Sequence, residues 1–307
     1  MNLRYDEDFV EEAVRLCAAG RRKGIASFQV ARFNREREKL YELHEPDERN
    51  AAFFSLHLEW FREWGLEKFL TEGLNEFPLL TKSLDILAFR KSRGKNDEGA
   101  ELYVNETGNR SGVVAMRPER FARESELKAF LRHELMHLHD MVDPDFGYLP
   151  ELPNVKASIN QERLARERYR LLWDISIDGR LTRAGRNTIA TKDQRWSEFS
   201  AVFSFWPEVR QREVFELLWN NPAPTHRVLA DLVCDPRQLQ TSNGPQPGAP
   251  CPLCGFPTFA WGQVASLAES TVKAIRSEFP HWAPEQGACA RCSEIYRVNR
   301  HQALSAV

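Results

Sequence analysis

The chain has 307 residues, 42% hydrophobic and 28% charged, which is the balance of an ordinary soluble globular protein with room for one large domain or two smaller ones. A net charge of −2 argues against a general nucleic-acid or membrane-surface binder. The opening MNLRYDEDFVEEAV has neither the basic start nor the apolar stretch of a secretory signal, and no apolar run approaches the ~18 residues of a bilayer span, so a cytoplasmic location is expected.

In chain order, residues 6 to about 75 read as helical. Val10, Ala13, Val14 and Cys17 follow helical spacing, as do Phe53, Leu56, Trp60 and Phe61, whose aromatic rings are expected in the core. Pro78 and the following Leu-Leu pair introduce a strand region with runs at Leu84–Ala88, Glu101–Val104 and Gly112–Met116, separated by turn-rich segments at 93–99 and 105–112. Gly112–Met116 is expected at the sheet edge, where an extended peptide would pair by backbone hydrogen bonds. A helix within Ser125–Asp140, a loop over 143–150, a long helix near 159–183 and helices near 195–220 and 225–233 follow. Residues 238–250, QLQTSNGPQPGAP, read as a linker.

The Ser125–Asp140 helix contains His133-Glu134-Leu135-Met136-His137, an HExxH string. Two imidazoles four residues apart leave one helical face at the spacing that holds one zinc ion, and Glu134 is placed as general base toward a water activated by that ion. Glu124 and Glu126 suit the first turn of the helix. Leu127, Leu131, Leu135 and Leu138 form an apolar stripe, with His133 and His137 expected on the other side, facing a cleft. The rival reading is a surface helix with two solvated histidines.

A catalytic zinc usually takes a third protein ligand. Asp174 and Asp178, four apart on the expected long helix, share one face amid Leu172, Trp173, Ile175, Ile177 and Leu181. Carboxylates in so apolar a stretch need a partner, and a metal or the N–H of a metal-bound histidine would serve. The alternative is a pair of acids bridged to Arg170 or Arg180. Asp140, on the histidine face, and Asp143 are closer rival ligands. His226, at the start of the 225–233 helix, is expected to be exposed, and Tyr148 and His139 are remote candidates for stabilising an oxyanion and not for binding the metal.

On these residues the chain resembles a zincin peptidase of the gluzincin kind, which carries HExxH on one helix and ExxxD on a later one. There the first acid binds zinc and the second orients a zinc-binding histidine. The resemblance, over roughly residues 84–181, implies Asp174 as ligand and Asp178 as orienter, with Asp in place of the usual Glu. The DxxxD element is also similar to an NxxxD element of some bacterial peptidases, and in that comparison Asp178 is the ligand; both assignments stay open. Some membrane-associated gluzincins have a Pro-flanked histidine in a comparable late position, which makes His226 a candidate oxyanion stabiliser. The metzincin pattern would need Gly where Asp140 stands, and the SprT-like pattern would need a downstream histidine closer than His226.

Beyond the linker, Cys251-Pro-Leu-Cys254 and Cys289-Ala-Arg-Cys292 are two CxxC knuckles 34 residues apart, a set suited to a closed, structural zinc site. The segment resembles a zinc ribbon with a helical insertion over 264–279. Phe256, Phe259, Trp261, Trp282 and Tyr296 are expected to form its small core, and Cys17 and Cys234 to be ordinary buried thiols.

The expected protein is therefore α+β: a helix-rich zincin-like metallopeptidase domain with a small mixed sheet over 1–237, plus a four-cysteine zinc-ribbon-like module over 251–307. The first domain subdivides into a helical segment over 1–78, sheet and active-site helices over 79–185 and a second helical segment over 186–237. The expected cofactors are one catalytic zinc on His133, His137 and Asp174 or Asp178, and one structural zinc on Cys251, Cys254, Cys289 and Cys292. Glu134 is the expected catalytic residue and a peptide or protein the expected substrate. The rival readings are a zinc-stabilised scaffold or adaptor, and a DNA-associated SprT-like protease, although the module lacks a dense Lys/Arg patch.

Overall fold

A computed structural model describes residues 1–20, 22–152, 159–234, 248–264 and 267–304. The chain divides into two compact units, 1–230 and 231–307. Most of the expected linker at 238–250, through residue 247, lies outside the described residues, as does the side chain of Cys234.

The first unit begins with a short strand, β1 (Asn2–Tyr5), followed by α1 (Glu7–Ala18), α2 (Ser27–Lys39), α3 (Pro46–Glu63), α4 (Leu66–Asn75) and α5 (Pro78–Ser83). Local chemistry sets the starts: Asp6 accepts from Phe9 N at 3.0 Å and is followed by Glu7 and Asp8, and proline stands at the first turns of α3 and α5. Strands β2 (Ile86–Lys91), β3 (Gly99–Val104) and β4 (Arg110–Met116) follow, then α6 (Glu124–Val142), α7 (Ile159–Arg183), α8 (Lys192–Val202), α9 (Glu208–Asn220) and α10 (His226–Cys234), which crosses the division between the units.

The sheet has the order β1-β2-β4-β3. β1, β2 and β4 are parallel and β3 is antiparallel to β4, so the sheet is mixed. The expectation that Gly112–Met116 forms the edge is wrong. That segment lies in β4, paired on both sides, and the edge beside it is β3. The reason is burial: Val114, Ala115 and Met116 form a continuous apolar run of the kind an interior strand needs, whereas β3 exposes Glu101, Tyr103 and Val104. β1 also departs from the expected all-helical start, because it pairs with β2 from Asn2–Ile86 to Tyr5–Phe89.

One core joins the sheet to helices α1–α6. Phe9, Phe61 and Phe121 pack ring against ring, and Phe33 packs edge-on against Trp60. Leu127, Leu131, Leu135 and Leu138 of α6 are all buried in it. Gly112 sets how closely α6 approaches, since a Cβ there would stand only 3.0–3.2 Å from Leu84, Leu87 and Leu138. The expected continuous helix near 195–220 is two helices, interrupted at 203–207, where Phe203 and Trp206 fold back onto Phe199.

In the second unit, β5 (Ala249–Pro250) and β6 (Pro257–Thr258) form a two-stranded ladder around the first CxxC, followed by α11 (Glu269–Glu278) and α12 (Ala290–Leu304). Ile275, Trp282 and Ala288 pack with Cys251, Cys289 and Cys292, so the core of this unit is built around its thiols. Phe256 and Phe259, expected in that core, are 73% and 83% exposed: they flank the two-residue strand β6 and stay outside the cluster. Among the described residues no helix is long and apolar enough to cross a membrane.

Candidate metal centre

Two helices build the site, and each repeats its side chains every four residues so that they share a face. α6 presents His133 and His137, and α7 presents Asp174 and Asp178. Asp174 Oδ1 stands 3.3 Å from His133 Nε2 and 3.0 Å from His137 Nε2, so one carboxylate oxygen and two ring nitrogens converge on one spot. The histidines do not face open solvent, as a solvated surface helix would require. α7 covers them, and His133 and His137 are both buried.

Asp178 does not join this group. Its Oδ1 lies 3.0 Å from Nδ1 of His133, the nitrogen on the far side of the ring, and its Oδ2 accepts from Arg195 Nε at 2.7 Å. A carboxylate there fixes the tautomer with Nδ1–H donating and Nε2 turned to the convergence point. Of the two assignments left open by the sequence, the geometry matches Asp174 as donor and Asp178 as orienter.

The electrostatics show that the two carboxylates of the pocket favour positive charge on the groups they face. Burial alone would pull the His133 imidazole down, but hydrogen bonds and charges from Asp174 and Asp178 outweigh it and raise its pKa to about 9. Burial would raise Asp174, yet hydrogen bonds from His133 and His137 hold it well below the usual carboxylate range. Two imidazole nitrogens and one carboxylate oxygen are a donor set that could hold a metal ion such as zinc. The neighbouring Glu134 is 4% exposed, and its Oε2 has no hydrogen-bond partner among the described residues. A buried carboxylate oxygen left bare is costly unless something outside the chain meets it. The donors and this orphan atom fit a metal with an attached water.

Glu134 and His137 line a cleft of about 200 Å³ whose other walls include Ala100 of the edge strand β3, Tyr148, Tyr169 and Trp173. Trp173 packs edge-on against His137, with ring centroids 4.5 Å apart, and donates Nε1–H to Asp140 at 2.7 Å. That bond and the bond from Arg180 Nη1 at 2.8 Å occupy Asp140, which removes it from the ligand set. Asp143 accepts from Asp145 N and closes the turn after α6, while His139 turns to Phe77. His226 is buried rather than exposed: its Nδ1 lies 2.7 Å from the Tyr169 hydroxyl, so it backs a residue of the cleft wall.

The sequence reading missed Arg195. It replaces Arg170 and Arg180 as the cation on the two acids, bonding Asp178 and standing 3.5 Å from Asp174 Oδ2, with Glu198 at 2.9 Å. Lying 17 residues beyond Asp178 on a separate helix, it carried no local signal. Arg166 and Arg170 were missed as cleft residues too, because the alternating charges of 163–170 read as a solvated helix face; their signal was the interval of four back from Asp174, and both line the cleft.

In the second unit, Cys251, Cys254, Cys289 and Cys292 bring their sulfurs within 4.8 Å of one another. The Cys254–Cys289 sulfur separation is 3.9 Å, close to the ~3.8 Å edge of a tetrahedron with metal–sulfur bonds of ~2.3 Å. Burial would raise the Cys251 thiol, but backbone N–H groups of Cys289, Cys254 and Leu253 bring it down to about 7, toward the thiolate a metal takes. This group could hold a metal ion and leaves no protein-free coordination side. The helical insertion between the knuckles is shorter than expected, with α11 confined to Glu269–Glu278. No protein-family model, no curated protein sequence and no solved structure matches the chain, so the two clusters rest on their own geometry.

Proposed function

We propose that the chain is a zinc-dependent peptidase of the zincin kind, with a second zinc holding a ribbon-like module together. The observation that carries this reading is the contact of Asp174 Oδ1 with Nε2 of both HExxH histidines, beside the bare Oε2 of Glu134. His133, His137 and Asp174 would hold the catalytic ion, which when bound would acidify a water and polarise the scissile carbonyl.

Glu134 takes the proton of the attacking water and hands it to the departing amine, the exchange its position at the cleft favours. Asp178 keeps the His133 ring in one orientation throughout. The substrate backbone lies along β3, whose outer edge has no strand neighbour among the described residues and whose Ala100 faces the same cleft as Glu134. Tyr148, Tyr169 and Trp173 thin the water around the reacting groups and so strengthen every charge interaction there. The four cysteines have a different task. They leave no open side for a substrate, and the small unit they nucleate needs the cross-link to fold.

Elemental analysis and a Glu134→Gln variant test the reading. Two zinc ions per chain are expected, falling to one in His133→Ala/His137→Ala. Glu134→Gln should keep both ions and lose about 10²–10⁴-fold in peptide hydrolysis. If the double variant binds as much zinc as the wild type, the His–Asp cluster is not a metal site. If Glu134→Gln leaves hydrolysis unchanged, the chain is better read as a zinc-stabilised scaffold.

A further inference from the structure

The wall of the cleft that runs up α7 is basic. Counted back from Asp174, Arg170 and Arg166 follow at intervals of four, which places them about 6 Å and about 12 Å along the helix axis. Both line the cleft with Glu134 and His137. An extended peptide advances about 3.3 Å per residue. A chain cut at the candidate metal centre and lying along this wall would pass Arg170 within roughly two residues of the scissile bond and Arg166 within roughly four.

Among the described residues no acid pairs with the charge on Arg170. Its guanidinium donates to the carbonyl oxygen of Glu98 at 3.2 Å, at the start of the edge strand, and forms no ion pair among the described residues. Three acids share a recess with Arg170, and each already has a partner: Glu101 accepts from the Tyr103 hydroxyl, and the other two are held by arginines. Glu98 accepts from Arg120 Nε and Nη2 at 2.6 and 2.7 Å and from the Arg117 backbone, and Asp97 is held by Arg90 at 2.8 Å. The fold even makes room for this guanidinium, because a Cβ on residue 99 would come within 3.1 Å of Arg170 Nη2, and residue 99 is glycine. Arg166 has one partner, Glu162 at 2.6 Å, on the exposed side of its own helix, a pairing easily exchanged for another anion. Among the described residues that line the cleft, Glu134 is the one carboxylate, and the proposed chemistry uses it.

Resting on the peptidase reading, we propose that this cleft selects peptides carrying a carboxylate within a few residues of the cut bond, with Arg170 and Arg166 as the selecting pair. An arginine fork matches a carboxylate in two parallel hydrogen bonds, and the aromatic walls beside it reduce the competition from water. The carboxylate has two sources, an acidic side chain or the C-terminus of the substrate.

Calorimetric binding to the full-length, zinc-loaded Glu134→Gln protein separates recognition from turnover. The probes are alanine-rich hexapeptides blocked at both ends, with Glu or Gln moved through each position, and an uncharged hexapeptide with a free or an amidated C-terminus. At the best position the acidic peptide should bind about five-fold tighter than its neutral twin, the size expected of a partly solvated charge pair. Adding Arg166→Gln/Arg170→Gln should shrink that preference to within about two-fold, and Arg170→Lys should keep some of it; zinc content and circular dichroism check that each variant is folded. Preference within the blocked peptides names the side chain as the source, and preference for the free over the amidated end names the C-terminus. Equal binding of charged and neutral probes, or a preference that survives loss of both arginines, overturns the proposal. A preference that stands while the wild type fails to cut the bound peptides defeats the peptidase reading and leaves the carboxylate site.

Discussion

Arg195 holds three carboxylates together behind the candidate metal centre: Asp178 at 2.7 Å, Glu198 at 2.9 Å and Asp174 at 3.5 Å. It is buried, and so is Asp178, so neither charge has water to fall back on. Removing one partner of such a pair leaves the other buried and unpaired, which typically costs 3–5 kcal/mol. Arg195→Met should therefore lower the unfolding free energy of the metal-free protein by about 3 kcal/mol. With zinc bound, a divalent charge faces Asp174 from the other side and offsets some of what the guanidinium supplied, so the loss should be smaller. Urea unfolding with and without zinc reads both numbers. An equal loss in the two states would mean that Arg195 supports packing alone and does not share the anions with a metal.

At the level of elements, the site depends on how closely α7 can be pressed between its neighbours. Gly179 follows Asp178 directly, and at that point α9 comes so near that any Cβ on residue 179 would overlap the backbone carbonyl of Trp219. Gly179→Ala should push the two helices apart at a cost of about 1–3 kcal/mol, the usual range for overpacking. It should also weaken zinc binding, because Asp178 and the tautomer of His133 move with the helix. A thermal melt and a zinc titration check this together, and a variant as stable as the wild type would show that the helices can separate freely here.

The same elements show what the sequence could and could not reveal. The HExxH helix was legible because its leucines and histidines each obey one short period. The pairing with Asp174 and Asp178 was legible because carboxylates in so apolar a run need partners. The choice between the two acids was not, since it depends on which ring nitrogen each one meets across two helices. Nor was the edge of the sheet. β3 and β4 are both short and apolar in places, and strand order is decided by long-range pairing that local composition does not encode. β1 escaped because four residues are too few to display an alternation, and it gains its place only by lying beside β2.

For the whole molecule the consequence is a division of labour in what holds each unit together. The first unit has a large continuous core of its own, from Phe9 to Val142, and its candidate metal centre sits on finished helices. The second has a small core in which Cys251, Cys289 and Cys292 are themselves members. Small domains of this kind owe much of their folding free energy to the metal. Removal of zinc by a chelator should therefore collapse hydrogen-exchange protection in 249–304 while most of 1–230 stays protected. Cys289→Ser should do the same selectively in zinc-replete buffer, since it takes one thiolate from the four-cysteine group and leaves His133, His137 and Asp174 intact. If the first unit unfolds with the second in Cys289→Ser, the two are one cooperative body. If protection of the second unit survives both treatments, its four sulfurs are held by packing and the reading of that cluster as a structural metal site fails.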